Sequence, residues 1–204
     1  MNMASILQGL LQRRCNAMNG LSYRELTLPG VLLIEQKAFH DPRGFFMEMH
    51  HQQKYRDIGI TQSFVQDNYS HSLHNTLRGL HYQLKHPQAK LITVLRGTIY
   101  DVAVDIRRGS PTFGKWVGQT LADTCLQQLY IPTGFAHGFC VLSEEADVLY
   151  KCTDLYSPED DHGVLWCDTD IGIQWPLAQP SLSTKDGRLR KLSEIPPTEL
   201  PALA

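Results

Sequence analysis

A long succession of short segments in which apolar and polar residues alternate with period two most constrains what this chain can fold into. They run from Val31 to Lys37, Gly44 to His50, Ser63 to Ser70, Leu77 to Gln83, Leu91 to Arg96 and Thr98 to Asp105. Others follow from Trp116 to Leu121, Gln127 to Ile131, Phe135 to Leu142 and Asp147 to Thr153. Successive side chains on a strand point to opposite faces, so each segment predicts a β-strand with one face inward. Turn residues separate them: Arg96-Gly97-Thr98 is a tight connection and Arg107-Arg108-Gly109-Ser110-Pro111 a longer one. Many short strands spaced in this way predict an all-β barrel or sandwich. In Thr98 to Asp105, Tyr100, Val102 and Val104 share one face and Asp101, Ala103 and Asp105 the other. That pattern predicts a half-buried strand of an antiparallel sheet. Two short helices are expected, over 51–58 and over 183–194, with Ser183 capping the second.

The chain has 204 residues, of which 42% are hydrophobic and 20% charged, enough to build one well-packed core. A single domain is expected over 21–204, preceded by an extension over 1–20. In that extension Ile6, Leu7, Leu10 and Leu11 come before Arg13 and Arg14, the wrong order for a secretory signal. A short helical or frayed segment is expected there, with an organellar targeting role left open and Met18 as an alternative start. Nineteen Lys and Arg against twenty-one Asp and Glu give a net charge of -2, which argues against a nucleic-acid partner. No apolar run approaches the roughly 18 residues of a membrane span. The cysteines, at 15, 125, 140, 152 and 167, are odd in number and form no C-x-x-C pair. They predict reduced thiols and a cytoplasmic protein.

Chemistry concentrates in Arg78-Gly79-Leu80-His81-Tyr82-Gln83 and in Pro132-Thr133-Gly134-Phe135-Ala136-His137-Gly138-Phe139. Two strand-borne histidines facing one interior suggest a proton-transfer site. The spacing from Pro132 through Gly134 to His137 resembles the second cupin motif. The first cupin motif needs an H-x-H pair, whereas His81 is followed by Tyr82 and Gln83. Zinc or iron would want about three or four protein donors, so a cupin-like jelly-roll barrel without metal is expected. His71 and His74 fall in a polar connection and are expected to be solvated. Tyr150, alternating with Val148 and Cys152, is either a hydrogen-bonded core phenol or a proton donor. Lys90 is either an exposed edge charge or an ammonium at the cavity mouth.

From about Leu28 to Lys185 the chain resembles the dTDP-4-dehydrorhamnose 3,5-epimerase family. The matching segments include Asp41-Pro42-Arg43-Gly44-Phe45-Phe46, Phe64-Val65-Gln66-Asp67-Asn68, Leu77 to Gln83 and Asp101 to Arg107. Ser110 to Gly114, Ile131 to Phe139, Leu149 to Thr153, Tyr156-Ser157-Pro158, Gly172 to Pro176 and Leu182 to Asp186 follow in order. Each is weak alone, and their order and spacing make the resemblance specific. It implies a cofactor-free cytoplasmic isomerase, a homodimer, that inverts carbons 3 and 5 of a thymidine diphosphate 4-keto-6-deoxyglucose on the route to L-rhamnose.

Carried across position by position, the resemblance implies His81 as general base, Asp186 bonded to it, Tyr150 as general acid and Lys90 beside the enolate oxygen. It implies Arg43, Glu48, Gln66, Asn68, Arg78, His137, Asp161 and Lys185 as substrate-binding residues, with Tyr156 against the thymine. Asp161 departs from the family's usual Glu and is one methylene shorter. Strict alternation sets Arg78 and His81 on opposite faces of one strand. Either Gly79 marks a bulge, or Arg78 serves a neighbouring subunit. The rival readings are a single-carbon epimerase or ketoisomerase of a related nucleotide sugar, a metal-dependent cupin oxygenase and a non-catalytic carbohydrate-binding barrel.

Overall fold

The structure is a computed structural model that describes residues 16–18 and 20–203. The extension expected over 1–20 therefore lies mostly outside the described residues. Asn16–Met18 forms β1, paired antiparallel with β2 (Leu21–Glu25).

Two antiparallel sheets face each other. The larger has the order β1-β2-β3-β11-β8-β13-β6, with β3 Leu32–Glu35, β6 Gln66–Leu73, β8 Lys90–Arg96, β11 Gln127–Ile131 and β13 Glu145–Cys152. The smaller has the order β10-β9-β12-β7-β14, with β7 Leu77–Gln83, β9 Thr98–Asp105, β10 Trp116–Ala122, β12 Phe135–Val141 and β14 Asp161–Gly163. A separate hairpin pairs β4 (Ala38–Asp41) with β5 (Gly44–Met47). The architecture is all-β and antiparallel, as the alternation predicts, and is the cupin-like jelly roll expected from the Pro132 to His137 motif. The tight turn at Gly97 joins β8 to β9 without pairing them and carries the chain from one sheet to the other.

Period two then decides what each strand contributes. Ile92 and Val94 of β8, Ile99 and Ala103 of β9, Phe135 and Phe139 of β12 and Val148 of β13 meet between the sheets. The outer face of the larger sheet is covered in part by α1 (Gln52–Asp57), which packs Tyr55 and, just beyond it, Ile58 against Ile34, Leu91 and Tyr130. The outer face of the smaller sheet, with Val102 and Val104, is covered by Val164, Ile171, Leu192, Ile195 and Leu200 of the C-terminal segment.

That cover corrects the reading of β9 as half-buried: Asp101 and Asp105 are fully buried, and the strand has a core on each side. The helix expected over 183–194 is also corrected, to two 3-10 turns at Asp186–Arg188 and Leu192–Glu194. Its backbone bonds outward: the Arg190 carbonyl accepts from Leu165 N–H, and Leu192 N–H donates to the Asp168 carboxylate. Those bonds replace the i to i−4 ladder of a helix. Some strand limits also move. The Ser63 to Ser70 segment becomes β6 three residues later, β5 stops at Met47, and β1, β2, β4 and β14 are additional.

Candidate active site

One end of the space between the sheets is apolar; the other is lined by polar side chains drawn from the same inward positions. Gln66, Asn68, His81, Gln88, Lys90, Tyr150, Tyr156 and Asp161 are among the residues around a cavity of about 310 Å³. A second cavity of about 300 Å³ is lined by Arg78, His137, Ser183, Lys185 and Asp186, among others. Both cavities share His81, Lys90, Tyr150 and Asp161, so they are two lobes of one cleft. His81 comes from the smaller sheet, whereas Lys90 and Tyr150 come from the larger one that faces it.

A bulge accounts for Arg78 and His81 sharing the cleft. His137 pairs with His81, but Phe139 pairs with Arg78, so β7 has one residue more than β12 between those two points. Gly79 supplies it, at a φ of 119° that an L side chain rarely adopts. A Cβ there would stand 2.6 Å from Gly138 Cα and 2.7 Å from the His137 carbonyl oxygen. The bulge re-aims Arg78, whose Nε donates to Ser72 Oγ at 2.9 Å, and no second subunit is needed to bring it to the cleft.

His81 Nε2 lies 2.6 Å from Asp186 Oδ1. Burial pushes the Asp186 carboxyl up. Hydrogen bonding from His81, from the Ser183 hydroxyl and from the Gly79 N–H outweighs that and holds it below its ordinary value. An ionised carboxylate can only accept, so Nε2 carries the proton and Nδ1 keeps the basic lone pair. Across the cleft, burial raises the Tyr150 pKa, so its phenol stays protonated at neutral pH. Burial lowers the pKa of Lys90, whose Nζ lies 6.0 Å from the Tyr150 ring centroid.

The polar floor is tied together by hydrogen bonds. Gln66 Oε1 accepts from Tyr156 N–H at 2.8 Å, and Gln66 Nε2 donates to Asn68 Oδ1 at 2.9 Å. Asp161 Oδ2 accepts from the Tyr156 hydroxyl at 2.9 Å and pairs with Lys185. That carboxylate raises the Tyr156 pKa. The Asp161 carboxylate thus links the aromatic wall to the lysine.

Arg43 and Glu48 are not brought to this cleft. Arg43, on the β4–β5 hairpin, pairs with Asp41, and Glu48 pairs with Lys54 at 2.7 Å. Sequence reasoning missed Asp101, whose carboxylate oxygens lie 2.9 and 3.0 Å from His137 Nε2. It also missed Gln83, which accepts from Ser157 N–H at 2.8 Å and donates to the Leu155 carbonyl at 3.1 Å, holding the loop that carries Tyr156. The signal for Asp101 was a carboxylate inside an otherwise apolar strand; for Gln83, it was the amide closing the Leu77 to Gln83 segment. Among the described residues, no three His, Cys, Asp or Glu side chains group so as to hold a metal ion.

Residues 25–194 match the family model described as dTDP-4-dehydrorhamnose 3,5-epimerase. A protein of that name from Shigella flexneri is 52% identical over 161 residues, which is 78% of this chain and 89% of the relative. Another, from Pseudomonas aeruginosa, is 50% identical over 163 residues, 79% of this chain and 90% of the relative. Among solved structures, a dTDP-6-deoxy-D-glucose-3,5-epimerase from Legionella pneumophila in complex with dTDP-4-keto-L-rhamnose superposes with a TM-score of 0.88. It is 46% identical, and the match covers 90% of this chain and 99% of that one. With the sequence matched through both walls of the cleft and the fold matched almost end to end, this chain belongs to the dTDP-4-dehydrorhamnose 3,5-epimerase family and is an isomerase of that class.

Proposed function

We propose that the cleft inverts carbons 3 and 5 of dTDP-4-keto-6-deoxyglucose, with His81, Asp186, Lys90 and Tyr150 carrying the proton transfers. The observation that supports it is the His81–Asp186 pair at 2.6 Å, with His81 on one sheet and Asp186 on a 3-10 turn beside it, and the Tyr150 phenol and the Lys90 ammonium on the facing sheet. Both target carbons flank the keto group at carbon 4. His81 Nδ1 takes the proton from one of them, and the C–H electron pair moves to leave its charge on the keto oxygen. Lys90 stabilises that enolate, and Asp186 stabilises the imidazolium. Tyr150 returns a proton to the opposite face of the same carbon, and exchange with water resets base and acid. The reaction transfers protons alone, and side chains suffice for it. Gln66, Asn68, Arg78, His137, Asp161 and Lys185 bind the nucleotide sugar, with Tyr156 against the thymine.

In deuterium oxide, proton spectra of dTDP-4-keto-6-deoxyglucose incubated with the protein will show deuterium entering both carbon 3 and carbon 5. Label at one carbon only after long incubation identifies a single-carbon epimerase. Label at neither, although the nucleotide sugar binds, overturns the catalytic roles.

The protein acts as a homodimer in this reading. Phe39, Phe45 and Phe46 on the β4–β5 hairpin are 55, 57 and 70% exposed, and β6, an edge of the larger sheet, presents Tyr69 and Leu73 outward. Apolar surface and an unpaired edge of this kind are what a second copy covers. Such an arrangement gives Arg43 and Glu48 a cleft to serve, that of the other copy. Light scattering will give twice the 23.1 kDa chain mass. A fully active monomer rules this out. No helix among the described residues is long and apolar enough to cross a membrane. The free thiols of Cys125, Cys140, Cys152 and Cys167 fit a reducing cytoplasm.

A further inference from the structure

Lysine is a flexible anchor for a cation that must stand at one atom, because its four-carbon stem carries about 2 kcal/mol of rotamer entropy. Among the described residues, Lys90 Nζ has a single hydrogen-bond acceptor, the Oε1 of Gln88 at 3.1 Å. The other end of that amide is fixed, since Gln88 Nε2 donates to the Asp154 carbonyl at 2.8 Å. A carbonyl can only accept and an ammonium can only donate, so the orientation of the amide is determined. The backbone under both residues is fastened to the end of β13. Ala89 N–H donates to Thr153 Oγ1 at 2.9 Å, Thr153 N–H donates to the Ala89 carbonyl at 3.1 Å, and Lys90 lies opposite Cys152. Gln88 itself lines the cleft beside Lys90.

We infer that Gln88 is a positioning residue that holds the Lys90 ammonium toward the keto oxygen through a neutral acceptor, an inference that rests on the role proposed for Lys90. A carboxylate in its place would neutralise the ammonium before the reaction begins and compete with the enolate oxygen for it. A neutral amide orients the ammonium while leaving its charge, and two of its three N–H groups, for charge that appears only in the transition state. Burial lowers the Lys90 pKa against the opposing charges of Asp161 and Asp101, and an amide oxygen accepting from the ammonium favours its protonated form.

The test is a double-mutant cycle on the full chain with Gln88→Met and Lys90→Met, read as kcat and KM for dTDP-4-keto-6-deoxyglucose and as the pH profile. Gln88→Met keeps the side-chain length and removes the acceptor. It should lower kcat about 10- to 100-fold, a part of the loss typical of one oxyanion-stabilising donor, with KM within about threefold. In the Lys90→Met background the same change should cost nothing further. Gln88→Glu gives a second readout: kcat falls while the alkaline limb of the profile moves up, because the new carboxylate favours the ammonium. Equal losses from Gln88→Met with and without Lys90 mean a merely structural role and overturn the inference. So does native kcat in Gln88→Met when Lys90→Met is impaired, which leaves the Lys90 role standing. Native kcat in Lys90→Met overturns both readings.

Discussion

Replacing Asp186 with Asn tests whether His81 works through one tautomer. In the native site the carboxylate receives the His81 Nε2–H and lies within the influence of the Gly79 N–H, a backbone donor that cannot turn away. An Asn of the same shape has one accepting and one donating end. Its oxygen satisfies the Gly79 N–H, and its amide N–H then faces His81 Nε2, which has to accept. The histidine proton moves to Nδ1, and the lone pair that should take the sugar proton is gone. A wrong tautomer of this kind costs about 10⁴-fold in the serine protease triad, where the geometry is otherwise intact. General-base catalysis as a whole contributes about 10²- to 10⁴-fold. Asp186→Asn should therefore lose about 10³- to 10⁴-fold, or about 4 to 5.5 kcal/mol of transition-state stabilisation.

Asp186→Ala leaves the tautomer free and should lose less, about 10- to 100-fold, so the isosteric variant is the worse enzyme. Deuterium wash-in at carbons 3 and 5, followed by proton spectra, measures the rate. Calorimetric binding of dTDP should be unchanged, because Tyr156 and Gln66 are untouched. An Asn variant that retains a tenth of native activity, or that matches the Ala variant, refutes the tautomer argument.

Tyr150→Phe removes the proposed acid and leaves the base intact, so exchange into the substrate should continue while inversion slows by about 10²- to 10⁴-fold. Inversion that keeps pace with exchange in the same proton spectra assigns the acid elsewhere. Asp105 predicts an acid limb of stability. Burial raises its pKa, but hydrogen bonds from Arg107, Ser110 and Thr112 overcome that and bring it to about 2, against 3.8 ordinarily. The unfolded chain therefore takes up this proton first as pH falls. The stabilisation, about 2.5 kcal/mol from a shift of this size, is complete above about pH 5 and is lost as pH falls toward 2. Urea midpoints of native and Asp105→Asn protein should converge over that window, and a gap independent of pH contradicts the assignment.

The strands were legible because burial on one side writes period two directly into sequence, as in β8 and β13. Burial on both sides was not. Asp101 and Asp105 alternate with valines, and nothing within β9 shows that Val164, Ile171 and Leu192 will arrive to cover the valine face. A half-buried reading of β9 therefore carries no sign of the contact between Asp101 and His137. The C-terminal helix failed for a related reason, since the partners that draw its backbone into 3-10 turns, Leu165 and Asp168, lie outside its own sequence. The contradiction between Arg78 and His81 was itself informative. Alternation cannot place both in one cleft, and the glycine between them marked where it breaks. Asp186 lies 105 residues from His81. Periodicity carries no signal across that distance, and only the family resemblance paired them.

Inversion at carbon requires that a proton leave one face of the ring and return to the other, which a site built on a single sheet would struggle to provide. Neighbouring strands of one sheet lie about 4.8 Å apart and present their side chains from the same side, whereas two packed sheets stand about 10 Å apart and point theirs at each other. A sugar ring fits that second spacing with a group on each side. In this protein, His81 and Asp186 lie along one wall, and Lys90 and Tyr150 rise from the other. The same inward positions that hold Ile92, Val94 and Val148 at the apolar end hold Lys90 and Tyr150 at the polar end, on the same two strands. The core at one end thus fixes the separation of the proposed acid and base at the other. A substitution that lets the sheets drift, such as Val148→Ala, should therefore weaken inversion more than binding.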